Sequence, residues 1–153
     1  MASLVASFLV VAALVNPLPA VAQQGVAFDQ TEIVIETKSG GSHRFKVELA
    51  ESDAQKSRGL MFRRQMAADA GMLFLHKRNR VVTMWMANTY LPLDMLFIEA
   101  DGRIARIAAN TIPLSRDTIS SRKRVRAVLE LNAGTARRLG ISVGDRIVYE
   151  RFN

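Results

Sequence analysis

The chain has no cysteine. Disulfides, thiolate nucleophiles and cysteine-held metals are therefore excluded, as is lipid attachment through a thiol. Histidine is scarce: His43 and His76 stand alone, without the paired spacing of a zinc site. No serine sits in a G-x-S-x-G elbow, and no carboxylates are paired at a spacing suited to acid–base work. Glu99 and Asp101 merely flank a turn. There is one tryptophan, and the few aromatics do not interleave with the basic runs, as nucleic-acid binders would require. Acid is in deficit: 14 Asp and Glu face 21 Lys and Arg, a net charge of +7. Such a balance favours anionic partners over nucleic acid if the chain is exported.

Export is what the first residues predict. Leu4 to Val15 is apolar, Pro17 and Pro19 follow, and Ala20-Val21-Ala22 is an A-x-A site. Residues 1–22 are thus expected to be a signal peptide cleaved after Ala22, delivering a periplasmic protein. The apolar run is too short to span a bilayer. No Lys or Arg precedes it, as would follow if translation starts further upstream. Residues 23–30 are expected to be a flexible segment. All the charge lies beyond the cleavage site, so the mature chain would carry the full +7. Without disulfides, residues 31–153 are expected to form one domain on core burial alone.

Most of that domain reads as β. Ile33 and Ile35 in Thr31–Thr37, and His43, Phe45, Val47 and Leu49, alternate with polar residues, with Ser39-Gly40-Gly41-Ser42 as the turn. Glu32 and Glu36 face Arg44 and Lys46 across it. Ser52 with Gln55 fits a capping box, opening a short helix that Gly59 ends. Residues 71–75 and 81–86 predict two strands joined by the basic loop 76–80. Met95-Leu96-Phe97-Ile98 predicts a strand buried on both faces. Asp101-Gly102 signals a hairpin into Arg103–Ala108, and residues 110–124 read as a surface loop. Val125 to Leu131 alternates with Arg126 and Glu130 outward; Asn132 can cap a helix from Ala133 to Leu139, and Arg146 to Phe152 is the last strand. The sum is a mainly β (α+β) single domain: a small barrel-like or rolled sheet of about seven to eight short strands with two short helices.

Three stretches carry a resemblance. They are Arg58-Gly59-Leu60-Met61-Phe62-Arg63 with Gly71-Met72-Leu73-Phe74, then Trp85-Met86-Ala87-Asn88-Thr89 with Pro92-Leu93-Asp94, and then Leu129-Glu130-Leu131-Asn132-Ala133-Gly134 with Gly144-Asp145. Their order and spacing resemble the bacterial and archaeal domain-of-unknown-function family 192, over roughly Arg44 to Val148. The resemblance implies a compact β-barrel-like fold with small helices and frequent export, and no established activity.

The candidate residues come from the first two stretches. Arg58 and Arg63 have the planar forks that clamp a carboxylate or phosphate; alternatively one of them pairs with Asp94 and the other is solvated. Trp85, Asn88, Thr89 and Asp94 could hold a sugar-like ligand by stacking and hydrogen bonds, or could form a tight connection stiffened by Pro92. Met61, Met66, Met72, Met84, Met86 and Met95, with a histidine, offer soft ligands for Cu(I), although methionine more often fills core gaps. Basic runs 77–80 and 122–124 are solvated faces or a patch for peripheral contact with an anionic membrane or polymer. The leading expectation is a non-catalytic exported domain that binds a polar or anionic envelope ligand or a protein partner, without metal or cofactor. The alternative is an enzyme on an anionic or sugar-containing envelope substrate, with Asp94 as acid or base.

Overall fold

A computed structural model describes residues 25–152. The expected signal peptide and its cleavage site lie outside the described residues. Seven strands and two helices follow in the order β1 (Asp29–Glu36), β2 (Ser42–Ala50), α1 (Asp53–Arg58), β3 (Ala70–Met84), β4 (Leu93–Ile98), β5 (Ile104–Ala108), β6 (Ile119–Asn132), α2 (Thr135–Leu139) and β7 (Arg146–Val148). The sheet order is β5-β4-β6-β3-β2-β1-β7. Every pairing is antiparallel except β2 with β3, which need the crossover through α1 to run parallel. The sheet curls into a half-barrel, and its edge strands touch at one corner. There Ile104 N–H donates to the Asp145 carbonyl and Ile147 N–H to the Gly102 carbonyl, both at 2.8 Å.

The concave side holds the larger core, where Ile33, Ile35, Phe45 and Val47 of the first hairpin meet Leu73, Leu96, Ile98, Leu129 and Leu131. Ile33, Ile35, Phe45, Val47, Leu129 and Leu131 are the positions whose alternation is read directly from sequence, whereas Leu96 and Ile98 come from the continuous apolar run. The convex side of β3, β4 and β6 is also covered. Leu60, Met72, Phe74, Val82, Met86, Met95, Phe97 and Val128 form a second core there, with Met66 and Met84 packed against it. The thioethers thus fill gaps under the loops that follow α1 and β3. Gly71 lies close against β6: a Cβ there would stand 2.7 Å from the Glu130 carbonyl oxygen.

Several boundaries differ from expectation. β1 starts at Asp29, two residues inside the segment read as flexible. The basic run 76–80 is not a loop between two strands but a bulge within β3: Leu75 pairs with Ala127 and Arg80 with Val125. The bulge opens carbonyls that the ladder no longer serves. Arg124 donates to the Asn79 carbonyl at 2.8 Å and Arg126 to that of Lys77 at 2.6 Å. β6 likewise begins at Ile119, within the expected loop 110–124, because buried Ser121 stitches a second bulge. Its hydroxyl accepts from Val82 N–H at 2.9 Å and donates to the Lys123 carbonyl at 2.6 Å. β7 is three residues long, not seven. Asn132 does not cap α2; its side-chain amide donates to the carbonyls of Met66 and Ala67.

Candidate functional site

α1 is too short to stand without tertiary packing. Both halves of its capping box form: Gln55 N–H donates to the Ser52 hydroxyl at 3.1 Å, and Ser52 N–H to the Gln55 side-chain oxygen at 2.9 Å. Gly59 ends the helix at a φ of 46° and lies against Phe74, 3.1 Å from where a Cβ would stand. That close approach seats the helix end on β3 and leaves Arg58 at an open edge. The Arg58 guanidinium stacks over Phe62, 4.8 Å from the ring centroid.

Beside this edge is a cleft of about 260 Å³. Lys56, Arg58 and Arg80 line it, together with His76, Trp85, Thr89 and Glu130. Leu60, Met61, Phe74, Val82 and Met84 supply its apolar walls. Trp85 is 57 % exposed and stands on the rim. A larger, mainly basic concavity adjoins the cleft; it shares Lys56, His76 and Arg80 and adds Lys77, Arg78 and Arg124, with Glu51 and Asp53 at its acidic side.

Glu130 lies in the cleft wall and is only 4 % exposed. Burial alone pushes its carboxyl up to about 8, with neither a hydrogen bond nor a cation offsetting it. At neutral pH it is mainly a neutral acid, able to donate a hydrogen bond. His76 is shifted the other way, to about 4, by burial first and then by Lys56, Arg80 and Arg126. It is a neutral imidazole whose buried Nε2 has no partner among the described residues. The two groups do not form a pair. Glu130 is opposite Met72, four residues before His76 on β3, on the order of 13 Å along a strand.

The expected site residues divide. Arg58, Trp85 and Thr89 meet at the cleft. Arg63 does not: it forms an ion pair with Glu48 and lines a separate concavity with Lys46, Met66 and Asp69. Asn88 is an exposed turn residue at a φ of 57°, whose carbonyl accepts from Phe62 N–H at 2.8 Å. Asp94 is wholly buried and faces neither arginine. Its carboxylate accepts from the main-chain N–H of Asn110 at 2.9 Å, Gly134 at 3.1 Å and Ala136 at 2.9 Å. It holds the start of α2, the role expected of Asn132. An acid or base must reach its substrate, so the catalytic role considered for Asp94 is withdrawn, and so is its salt bridge to an arginine.

Lys56 and Glu130 were not picked out from the sequence, and His76 and Arg80 were considered only as a copper imidazole and as part of a basic surface run. For Glu130 a signal was available. Val128 lies on the face of β6 expected to be polar, which marks that face as covered. A lone acid two residues further along a covered face needs a special environment.

These features define a class: a small curled-sheet domain whose convex face is roofed by loops that leave a cation-rimmed cleft. The chain belongs to the DUF192 family, described as "Uncharacterized ACR", whose model matches residues 34–149. A crystal structure of a candidate transcription regulator from Sinorhizobium meliloti 1021 is similar, with a TM-score of 0.80 and 52% identity, covering 81% of this chain and 96% of that one. A protein of unknown function from Novosphingobium aromaticivorans DSM 12444 is similar at a TM-score of 0.76 and 35% identity, covering 82% and 95%. No curated protein matches the chain.

Proposed function

We propose that this protein is an exported, non-catalytic binding domain for a small anionic ligand that carries a ring or other flat apolar part. The observation behind this is the convergence of Lys56, Arg58 and Arg80 with an exposed tryptophan on a cleft whose wall holds an unpartnered, neutral Glu130. The cations attract and orient an anionic head. Trp85 offers a stacking surface, and the Glu130 O–H can donate to an uncharged acceptor on the ligand body. Copper finds less support, because Met72, Met86 and Met95 are enclosed in the second core.

Calorimetric titration with inorganic phosphate, phenyl phosphate and glucose 6-phosphate tests the reading. Either ring-bearing phosphate should bind more tightly than inorganic phosphate. Arg58→Ala and Trp85→Ala should each weaken that binding by roughly fivefold to tenfold, as expected for losing one charge-assisted or stacking contact. Arg138→Ala, on the far helix α2, should leave it unchanged. Absence of binding by all three anions at millimolar concentration, or equal losses in all three variants, would remove the cleft as the site.

A further inference from the structure

A second feature lies beside the cleft. Phe62, Trp85, Tyr90, Ile112 and Leu114 are large apolar or aromatic side chains turned to solvent, Ile112 to 71 % and Leu114 to 55 %. Three separate loops carry them, and main-chain hydrogen bonds fasten those loops together. Phe62 N–H donates to the Asn88 carbonyl at 2.8 Å, Leu114 N–H to that of Thr89 at 3.1 Å, and Met86 N–H to that of Ser115 at 3.1 Å. The rings of Phe62 and Tyr90 meet edge to face, 6.4 Å apart.

The backbone is strained to present these groups. Phe62 has a φ of 67° and Leu114 one of 63°, a left-handed conformation that is unfavourable for bulky side chains. Neither strain is repaid by burial, since both side chains point outward. Cations stand at the level of the rings. Arg58 stacks on Phe62, and Arg64 lies 5.2 Å from the Tyr90 centroid. Arg116 is exposed on the third loop; its neighbour Asp117 is engaged by the Ser115 hydroxyl at 3.0 Å.

We propose that this three-loop face docks onto an anionic lipid surface, with Phe62, Trp85, Ile112 and Leu114 entering the headgroup region and Arg58, Arg64 and Arg116 meeting lipid phosphates. Amphipathic aromatics and arginines at one level suit a membrane interface, where an apolar body and a polar tip are both satisfied. Charge complementarity selects anionic lipid from neutral lipid. Lys77, Arg78 and Arg124 line a different concavity, which carries no Phe, Tyr or Trp. The face shares Arg58 and Trp85 with the cleft, whereas Phe62, Arg64, Ile112, Leu114 and Arg116 are not among the cleft's lining residues, so the serine variant tests the face apart from the cleft.

Trp85 is the only tryptophan in the chain, so it reports directly. The protein is titrated with phosphatidylcholine vesicles, with and without phosphatidylglycerol, and with lipids brominated on the acyl chain. Anionic vesicles should shift Trp85 emission to the blue and brominated ones should quench it. Affinity should fall at least tenfold between about 50 and about 500 mM salt. The double variant Ile112→Ser with Leu114→Ser should lose about tenfold or more in vesicle affinity. Both side chains are exposed, and circular dichroism checks that the variant is folded. Lys77→Glu with Arg78→Glu should retain the blue shift. The proposal is overturned by absence of vesicle binding. It is overturned equally by binding that leaves Trp85 unshifted and the serine variant unaffected, which would assign the contact to the basic bulge. Dimerisation abolished by the serine substitutions, without vesicle binding, would also overturn it and give the face to a second copy of the chain.

Discussion

Glu130 shows how one side chain can set a pH profile. Its folded-state value is about 8, raised by burial from the ordinary 4.5. Below the ordinary value both folded and unfolded chains are protonated, and its contribution to stability is whole. As pH rises the unfolded chain ionises freely while the folded one resists, so stability is lost until pH passes about 8. Glu130→Gln keeps the shape and cannot ionise. Its stability relative to the natural protein should therefore grow by up to roughly 4 kcal/mol between about pH 4 and pH 9. His76 works in the opposite sense. Its value is lowered from 6.5 to about 4, so its contribution is whole above 6.5 and is lost as pH falls toward 4. The two slopes oppose each other between about 4.5 and 6.5, and the Glu130 slope acts alone above that range. Urea unfolding of both proteins across this range measures the difference; parallel curves would mean that Glu130 is ionised in the folded state.

At the scale of elements, Asp94 joins pieces that sequence keeps far apart. One carboxylate at the start of β4 holds the loop at Asn110 and the first turn of α2 at Gly134 and Ala136. Three main-chain N–H groups, that of Ala136 buried, would lose their acceptor in Asp94→Ala, a loss of about 3 kcal/mol or more. Asp94→Asn keeps one acceptor oxygen and should lose less, though its amide N–H₂ would face other donors. Denaturant midpoints of the two variants check the order, and equal stability of Asp94→Ala and the natural chain would refute the role. The contrast with α1 explains what could be read in advance. The Ser52–Gln55 capping box spans three residues, so it is visible in the chain. The cap on α2 comes from 40 residues away, and sequence registers it only as two motifs that occur together. The β3 bulge was hidden for the same reason: carbonyls of Lys77 and Asn79 are served by guanidinium groups from β6.

For the molecule as a whole, alternation revealed one core and concealed the other. A strand covered on one face shows period two, as β2 does; a strand covered on both shows an apolar run, as β4 does. β6 is mixed, with charged residues outward over its first half and Val128 and Glu130 covered at its far end, so the roofed half of the sheet was legible only in β4. The cleft exists because of that roof, which is why Lys56 and Glu130 in its lining escaped the sequence while Arg58, Trp85 and Thr89, carried by the roofing loops and the helix end, did not. The roof also leaves the positive charge crowded. Lys77, Arg78, Arg124, Arg126 and Arg151 share one concavity, and Lys56 and Arg80 extend the field to the cleft. Among the described residues the Arg151–Glu51 pair lies within this field and Arg63–Glu48 lines a separate concavity, and all four ion pairs keep solvent contact. Screening should therefore relieve more repulsion than it removes attraction. Raising sodium chloride from about 20 to about 300 mM should stabilise the protein by on the order of 1 kcal/mol. Arg124→Gln thins the field but also removes a donor to the Asn79 carbonyl, so the informative quantity is the slope of stability with salt, not its absolute value. That slope should flatten in the variant. A natural protein whose melting temperature falls with salt would instead place its ion pairs above its charge excess in importance.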